Sequence, residues 1–230
     1  MLKVKLVVFD VDGVLVPIKS SWHFLHSYFD VLEKAENIKR MFDEGLIDYT
    51  KWLELDVKLW IEARNGLVTR DEIMRVLSQI KVDDEAHHVV RWLKRRGVKI
   101  ALISGGIDLL VSRIAEEIGA DIWMANKLSF DKRGYLIAGG IPIVGVWKDK
   151  AVRILAGSLG INLDNTMFIG DSKWDIPALK IVGYPVAYRD DGVLSSIAKY
   201  RVNKLLELID LIECIEDHIA SHQCANIFKP

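Results

Sequence analysis

Cysteine is scarce in this chain: Cys214 and Cys224 are its only two. So sparse a pair gives no disulfide framework, and a reducing, cytoplasmic setting is the default expectation. Long hydrophobic runs are also lacking, and none reaches the length that spans a bilayer. Met1-Leu2-Lys3 leads straight into a strand-like segment ending in charged residues, which does not read as a signal peptide. Nor is there an excess of one charge: 31 Lys and Arg face 32 Asp and Glu, for a net charge of -1. That balance argues against a general binder of nucleic acid or of acidic membranes. Internal repeats, low-complexity tracts and flexible linkers are not visible. Half of the 230 residues are apolar, enough for one large domain or a domain carrying a smaller one.

The stretch that organises the rest is Val4-Lys5-Leu6-Val7-Val8-Phe9-Asp10-Val11-Asp12-Gly13-Val14. Its valine-rich start reads as a buried strand. It ends in two aspartates and a glycine, and in an open α/β sheet ligands sit just beyond the carboxyl ends of the strands. At a spacing of two, both carboxylates of an extended segment face the same way. They repel unless a cation or a shared proton relieves them, so the pair reads as a site for a hard divalent ion, Mg²⁺ first. A polar exit from strand to turn is the plainer alternative.

From about Ser20 to Leu77 the pattern turns helical, with Gly45 and Asn65-Gly66 as punctuation and a capping box opening at Thr69. Beyond it, strands are expected at 98–103, 121–125, 166–169 and 186–188, with helices between them. The first of these helices starts at Asp83-Asp84, the next runs through Leu109 to Ile118, and a later one covers Lys150 to Leu159. Asp131-Lys132-Arg133-Gly134 reads as a hairpin turn, and 203–221 as a C-terminal amphipathic helix. Strands alternating with helices predict an α/β fold, a parallel sheet with helices on both faces.

Chemistry-bearing residues recur at the strand ends. Asp10 and Asp12 end the first, Ser104-Gly105-Gly106 the second, and Gly170-Asp171 the fourth, with Asp175 four residues on. A serine hydroxyl and bare glycine N–H groups opening a helix suit an anion. A lysine, Lys148 or Lys150, neutralises a phosphoryl oxygen and a nucleophilic carboxylate together. Asp171 supplies a further carboxylate for the ion, and Asp175 orients it from behind. A carboxylate attacking a phosphate monoester forms an aspartyl-phosphate, which the second aspartate helps to form and break.

Asp10-Val-Asp12-Gly13-Val, Leu-Ile-Ser104-Gly105-Gly106, Lys150 and Gly-Asp171-Ser-Lys-Trp-Asp175 resemble, in order, the four motifs of haloacid-dehalogenase-like (HAD) phosphatases. The resemblance spans Lys3 to about Tyr188, and the helical insertion looks like the C1 cap of the phosphoserine-phosphatase branch. It implies a Rossmann-like core over 1–17 and 84–230 and a cap over 18–83. It implies Asp10 as nucleophile, Asp12 as general acid and base, and Mg²⁺ on Asp10, the Asp12 carbonyl and Asp171. Ser104 and Lys150 would hold the phosphate, with Gly13, Gly105 and Gly106 beside it. Lys150 is preferred to Lys148 because the family's lysine directly precedes its helix.

That branch uses a Glu after the first motif and an Arg in the cap to hold the amino and carboxylate groups of phosphoserine. Alignment by eye puts Lys19 and Glu54 near those places, with the charges reversed, and Trp174 stands where Asn is common. The expected substrate is therefore another small phosphorylated metabolite. A phosphomutase and a non-catalytic phosphate-binding module are the alternatives, with no nucleic-acid or membrane partner and room for a homodimer. Cys214, His218, His222 and Cys224 have spacing that could take Zn²⁺, although such residues near a terminus are often incidental. His23 and His26 are given no role.

Overall fold

Strand β1 (Leu6–Phe9) is buried along its whole length. Its side chains divide between two apolar layers. Val7 and Phe9 join one, Leu6 and Val8 the other, because successive strand side chains point to opposite faces. A strand covered on both faces has no polar side to show, hence its unbroken apolar sequence. The computed structural model of the protein describes residues 2–190, 192–217, 224 and 228–229.

After β1 come four helices: α1 (Ser21–Tyr28), α2 (Leu32–Asp43), α3 (Tyr49–Ala63) and α4 (Arg70–Leu77). Each of α1, α3 and α4 opens on a side-chain cap, from Ser20, Asp48 and Thr69 respectively. The Asp83 N–H donates to the Leu15 carbonyl at 2.9 Å, so the helical segment leaves and rejoins the sheet at one neck. The chain then runs α5 (Asp84–Arg95), β2 (Lys99–Ile107), α6 (Asp108–Ile118), β3 (Ile122–Phe130), β4 (Leu136–Ile141) and α7 (Lys148–Ser158). It continues through β5 (Thr166–Gly170), α8 (Ile176–Leu179), β6 (Tyr184–Tyr188), β7 (Tyr200–Val202) and α9 (Glu207–Glu216).

The sheet order is β4-β3-β2-β1-β5-β6-β7. All pairs are parallel except β3 with β4, which close the expected turn at Asp131–Gly134. Residues of α5, α6 and α9 pack in the layer with Val7 and Phe9, and those of α7 and α8 in the layer with Leu6 and Val8. The α/β Rossmannoid class expected from the sequence is what the structure shows. With β2 on one side of β1 and β5 on the other, the strand order switches at β1, where such sheets place their ligand crevice.

Several expectations need correction. Ser104, Gly105 and Gly106 do not open a helix: β2 continues through them to Ile107, and α6 starts only at Asp108. The pairing of β2 with β3 is irregular between Ile103 and Ile107, so the strand bends instead of ending. Helix α7 starts at Lys148, two residues before the expected start. Strand β7 went unpredicted, and α9 starts at Glu207 instead of 203, while the expected stretch 218–221 lies outside the described residues. The two cysteines are joined as a disulfide, Cys214–Cys224. They are therefore not thiolate ligands, while His218 and His222 lie outside the described residues.

Candidate active site

The carboxyl ends of β1, β2 and β5 and the faces of α1, α2 and α3 enclose a cavity of about 610 Å³. Asp10, Asp12, Ser104, Gly105, Gly106, Lys148 and Asp171 all line it. That volume suits a small ligand.

Asp10 is buried and held at both oxygens. Its Oδ1 accepts the Val11 N–H at 2.8 Å, and its Oδ2 lies 2.8 Å from Lys148 Nζ. Lys148 also donates to Asp175 Oδ1 at 2.6 Å. Burial alone would lower the pKa of this ammonium, but Asp10 and Asp175 hold it above its usual value. The preference for Lys150 is overturned. Two positions along a helix are about 200° around its axis. Lys148 on the first residue of α7 is therefore buried toward the carboxylates, while Lys150 is exposed, its ammonium 5.1 Å from the centre of the Trp147 ring.

Asp12 is held differently. Ser21, the first residue of α1, donates both its N–H and its hydroxyl to Asp12 Oδ2 at 2.7 Å. Asp12 Oδ1 is buried without a partner among the described residues. Burial pushes the pKa of this carboxyl up, and the two Ser21 hydrogen bonds oppose the rise. A carboxyl of that kind, with one oxygen fixed and the other free, can carry a proton to and from a reacting atom.

Asp171 follows β5. Burial first, and then the charge of Asp175, push its pKa up to about 6. Asp10 is likewise raised by burial and by Asp175, against the pull of Lys148. Carboxylate oxygens of Asp10, Asp171 and Asp175 lie within 4.8 Å of one another, a cluster that can hold a metal ion. Asp175 has little left to offer one. Its Oδ1 takes Lys148, and its Oδ2 takes the N–H groups of Asp171 and Ser172 at 3.0 Å. Asp10 and Asp171 are the crowded, desolvated pair that a cation would relieve. Gly13 makes room for them: its φ is +85°, and a Cβ there would fall 2.0 Å from Asp171 Oδ2.

Ser104 is buried, and its Oγ accepts the Gly106 N–H at 2.9 Å. A Cβ on Gly106 would sit 2.5 Å from Ser21 Oγ and 2.9 Å from both Asp12 Oδ2 and Ser104 Oγ. Only glycine fits where β2 meets α1.

Sequence reasoning passed over three groups. Asn126, buried on β3, donates to Gly105 O at 2.7 Å and Tyr49 Oη at 2.8 Å, and accepts the N–H groups of Val144 and Gly145. One amide thus ties the serine strand, α3 and the loop before α7; an asparagine inside an apolar strand was the available signal. Burial raises the Tyr49 pKa to about 12. The second group is Trp22, whose Nε1–H donates to Gly105 O at 3.0 Å. The third is buried in the helical segment: Trp60 donates to His26 Nδ1 at 2.9 Å, and His26 Nε2 lies 3.4 Å from Asp56 Oδ2. Of the two residues aligned by eye with the phosphoserine contacts, Lys19 lines the cavity. Glu54 is not in its lining and pairs with Lys51 at 2.8 Å; the α3 acid that reaches the cavity is Asp56. Trp174 both lines the cavity and packs against Phe42 and Trp52, at 6.5 and 6.4 Å between ring centres.

The profile of one family, described as haloacid dehalogenase-like hydrolase, matches residues 4–183. The chain belongs to this family. Among curated proteins it is 27% identical over 215 residues to a phosphoserine phosphatase of Methanocaldococcus jannaschii, covering 92% of this chain and 99% of the relative. It is 25% identical to a phosphoserine phosphatase of Saccharomyces cerevisiae, covering 95% of this chain and 71% of that one. Among solved structures, a phospho-aspartyl intermediate analogue of phosphoserine phosphatase superposes with a TM-score of 0.74 at 27% identity, over 90% and 98% of the two chains. A substrate-bound phosphoserine phosphatase gives 0.75 at 26% identity, over 91% and 99%. This HAD-like hydrolase therefore sits in the phosphoserine-phosphatase-like branch.

Proposed function

We propose that this HAD phosphatase hydrolyses a small phosphorylated metabolite, with Mg²⁺ as its ion, through an aspartyl-phosphate on Asp10. The observation that carries the reading is the division of labour between two buried aspartates in one cavity. Asp10 is fixed against a lysine, and Asp12 keeps an oxygen free. Asp10 attacks phosphorus, and the ester oxygen leaves with a proton from Asp12. Asp12 then takes a proton from water, which attacks the same phosphorus and releases inorganic phosphate and free Asp10. The Lys148 ammonium and the Ser104 hydroxyl, with the backbone N–H groups around Gly13, Gly105 and Gly106, hold phosphoryl oxygens in line. Asp10, Asp171 and the Asp12 carbonyl would hold Mg²⁺, which when bound neutralises charge on the phosphoryl group. Asp175 positions Lys148 and the start of the Asp171 loop.

In this reading residues 18–83 form a cap that closes over a core of 1–17 and 84–230, excludes water and selects the leaving group. The two curated relatives and two solved structures described above carry the name phosphoserine phosphatase, and that substrate is the second reading. Against it, no arginine lines the cavity among the described residues, while Lys19 and Asp56 do. A cytoplasmic setting is part of the proposal, with the Cys214–Cys224 disulfide as the observation against it; among the described residues no helix is long and apolar enough to cross a membrane.

The test is a panel of phosphomonoesters with Mg²⁺, read as inorganic phosphate, with rapid acid quench and mass spectrometry of the protein. Wild type should gain one phosphoryl group on Asp10, and Asp10→Asn should lose turnover by at least about a thousandfold. Transfer of the phosphoryl group to a sugar without phosphate release would mean a mutase. Full turnover by Asp10→Asn would end the nucleophile assignment.

A further inference from the structure

The amide of Asn126 fixes the direction of a hydrogen that the site has not yet used. Its Oδ1 accepts the N–H groups of Val144 and Gly145 at 3.1 and 2.9 Å, and an amide nitrogen cannot accept them. The carbonyl and the NH2 of this side chain therefore cannot be exchanged. The NH2 faces the other way and donates to Gly105 O at 2.7 Å and to Tyr49 Oη at 2.8 Å. Both Nδ2 hydrogens are thus spent, and the Tyr49 oxygen is the acceptor in its bond. Its own hydrogen must point elsewhere. Among the described residues no acceptor takes it, and Asn126 is the one hydrogen-bond partner of this hydroxyl.

The ring that carries the hydroxyl is held in place. Tyr49 opens α3 and meets Phe42 and Trp52 edge to face, at 5.9 and 5.6 Å between ring centres. Gly145 lets the loop before α7 press against it: at φ +52°, a Cβ there would lie 3.3 Å from Tyr49 Cδ1. Tyr49 is partly buried and lines the cavity. Burial pushes its pKa up to about 12, so the hydroxyl keeps its hydrogen at neutral pH. The oxygen is fixed and the donor is free, which is the preorganised state that a bound ligand completes.

Which part of a ligand it meets follows from its neighbours. One amide nitrogen joins Tyr49 Oη to the Gly105 carbonyl, within the Ser104-Gly105-Gly106 stretch. The loop against its ring delivers Lys148, whose charge Tyr49 senses. Those are the groups assigned above to the phosphoryl oxygens. We propose that Tyr49 is a substrate-contacting residue that donates its O–H to a phosphoryl oxygen, with Asn126 positioning it. Helix α3 would then give the reacting group a donor from outside the sheet. Phosphoryl oxygens are common to every phosphomonoester, so this donor acts on all of them alike. The inference rests on the phosphatase reading above and adds a contact to it.

Tyr49→Phe keeps the ring and removes only the hydroxyl. With Mg²⁺ it should lower kcat/KM by about tenfold or more, and by a similar factor for each ester turned over among p-nitrophenyl phosphate, glycerol 3-phosphate and phosphoserine. It should also weaken inhibition by orthophosphate by about fivefold, since the product keeps the same kind of oxygen. Turnover and orthophosphate inhibition both within about twofold of wild type in the folded variant would overturn the inference. A loss confined to one ester, with orthophosphate inhibition unchanged, would overturn it too, because the donor would then serve that leaving group. A second measurement reads the hydroxyl without a substitution. Wild type carrying an NMR label at the Tyr49 ζ carbon alone should show that resonance move when orthophosphate binds with Mg²⁺, whereas a ring that only packs leaves it in place. No movement at an orthophosphate concentration that fully inhibits turnover overturns the inference even if Tyr49→Phe does not fold. Absence of phosphate release from every ester by wild type overturns the phosphatase reading itself.

Discussion

Lys148 shows how much one residue's direction decides. Its ammonium bridges Asp10 and Asp175 at 2.8 and 2.6 Å with almost no exposure. Breaking a buried ion pair by removing one partner leaves the other charges uncompensated. Lys148→Met should therefore cost about a hundredfold or more in kcat and lower the melting temperature as well. Lys150→Met, which gives up an exposed contact with Trp147, should stay within about twofold of wild type. Equal losses in both variants, measured per folded molecule, would restore the assignment the motif suggested. The sequence brought both lysines into consideration. It could not choose between them because the choice depends on where α7 begins, and helix starts depend on the loop that delivers them.

At the scale of elements, most of the alternation of strands and helices was legible. Buried strands such as Val98–Ile103 and capped helices such as those at Thr69 and Asp83 follow from local pattern. The continuation of β2 through Ser104-Gly105-Gly106 was not. Two glycines read as a break, yet the Asn126 amide and the Trp22 indole hold the Gly105 carbonyl from β3 and α1. Strand β7 was missed for a like reason. Val202 accepts from Arg189 across the chain, and α9 is tied to Cys224 by the disulfide. That cross-link closes a loop with a sequence separation of 10, which on a chain-entropy estimate contributes about 2–3 kcal/mol. Cys214→Ser, or treatment with a reductant, should lower the melting temperature by about 5–10 °C, with turnover at 25 °C unchanged. A melting curve identical with and without reductant would mean that the bond is not formed in solution.

For the molecule as a whole, folding draws several carboxylates into one desolvated crevice, and the consequence is an ion- and pH-dependent stability. Burial, and then Asp175, raise Asp171 from 3.8 to about 6. Without an ion the folded state holds that proton more tightly than the unfolded chain does. The Asp171 contribution is then fully present below about 4 and is lost as pH rises through about 6. Other groups also titrate, so the measurement is a difference. In ion-free buffer Asp171→Asn should gain stability relative to wild type between pH 4 and pH 7. Mg²⁺ at pH 7.5 should raise the melting temperature of wild type and have little effect on the variant. A difference that does not change with pH, or an equal response to Mg²⁺, would remove Asp171 from the ion site.

The amino-acid sequence by itself determined the class of fold, the family and the acidic tips of β1 and β5. Those depend on neighbours a few positions apart: apolar periodicity, turn residues and carboxylates at a strand end. Tertiary structure alone decided which lysine enters the crevice, that Asn126 gathers three segments around Gly105, and that the two cysteines pair. It also decided that Asp56, not Glu54, reaches the cavity. Each of these depends on contacts or directions set where distant segments meet, and no local pattern of residues encodes them.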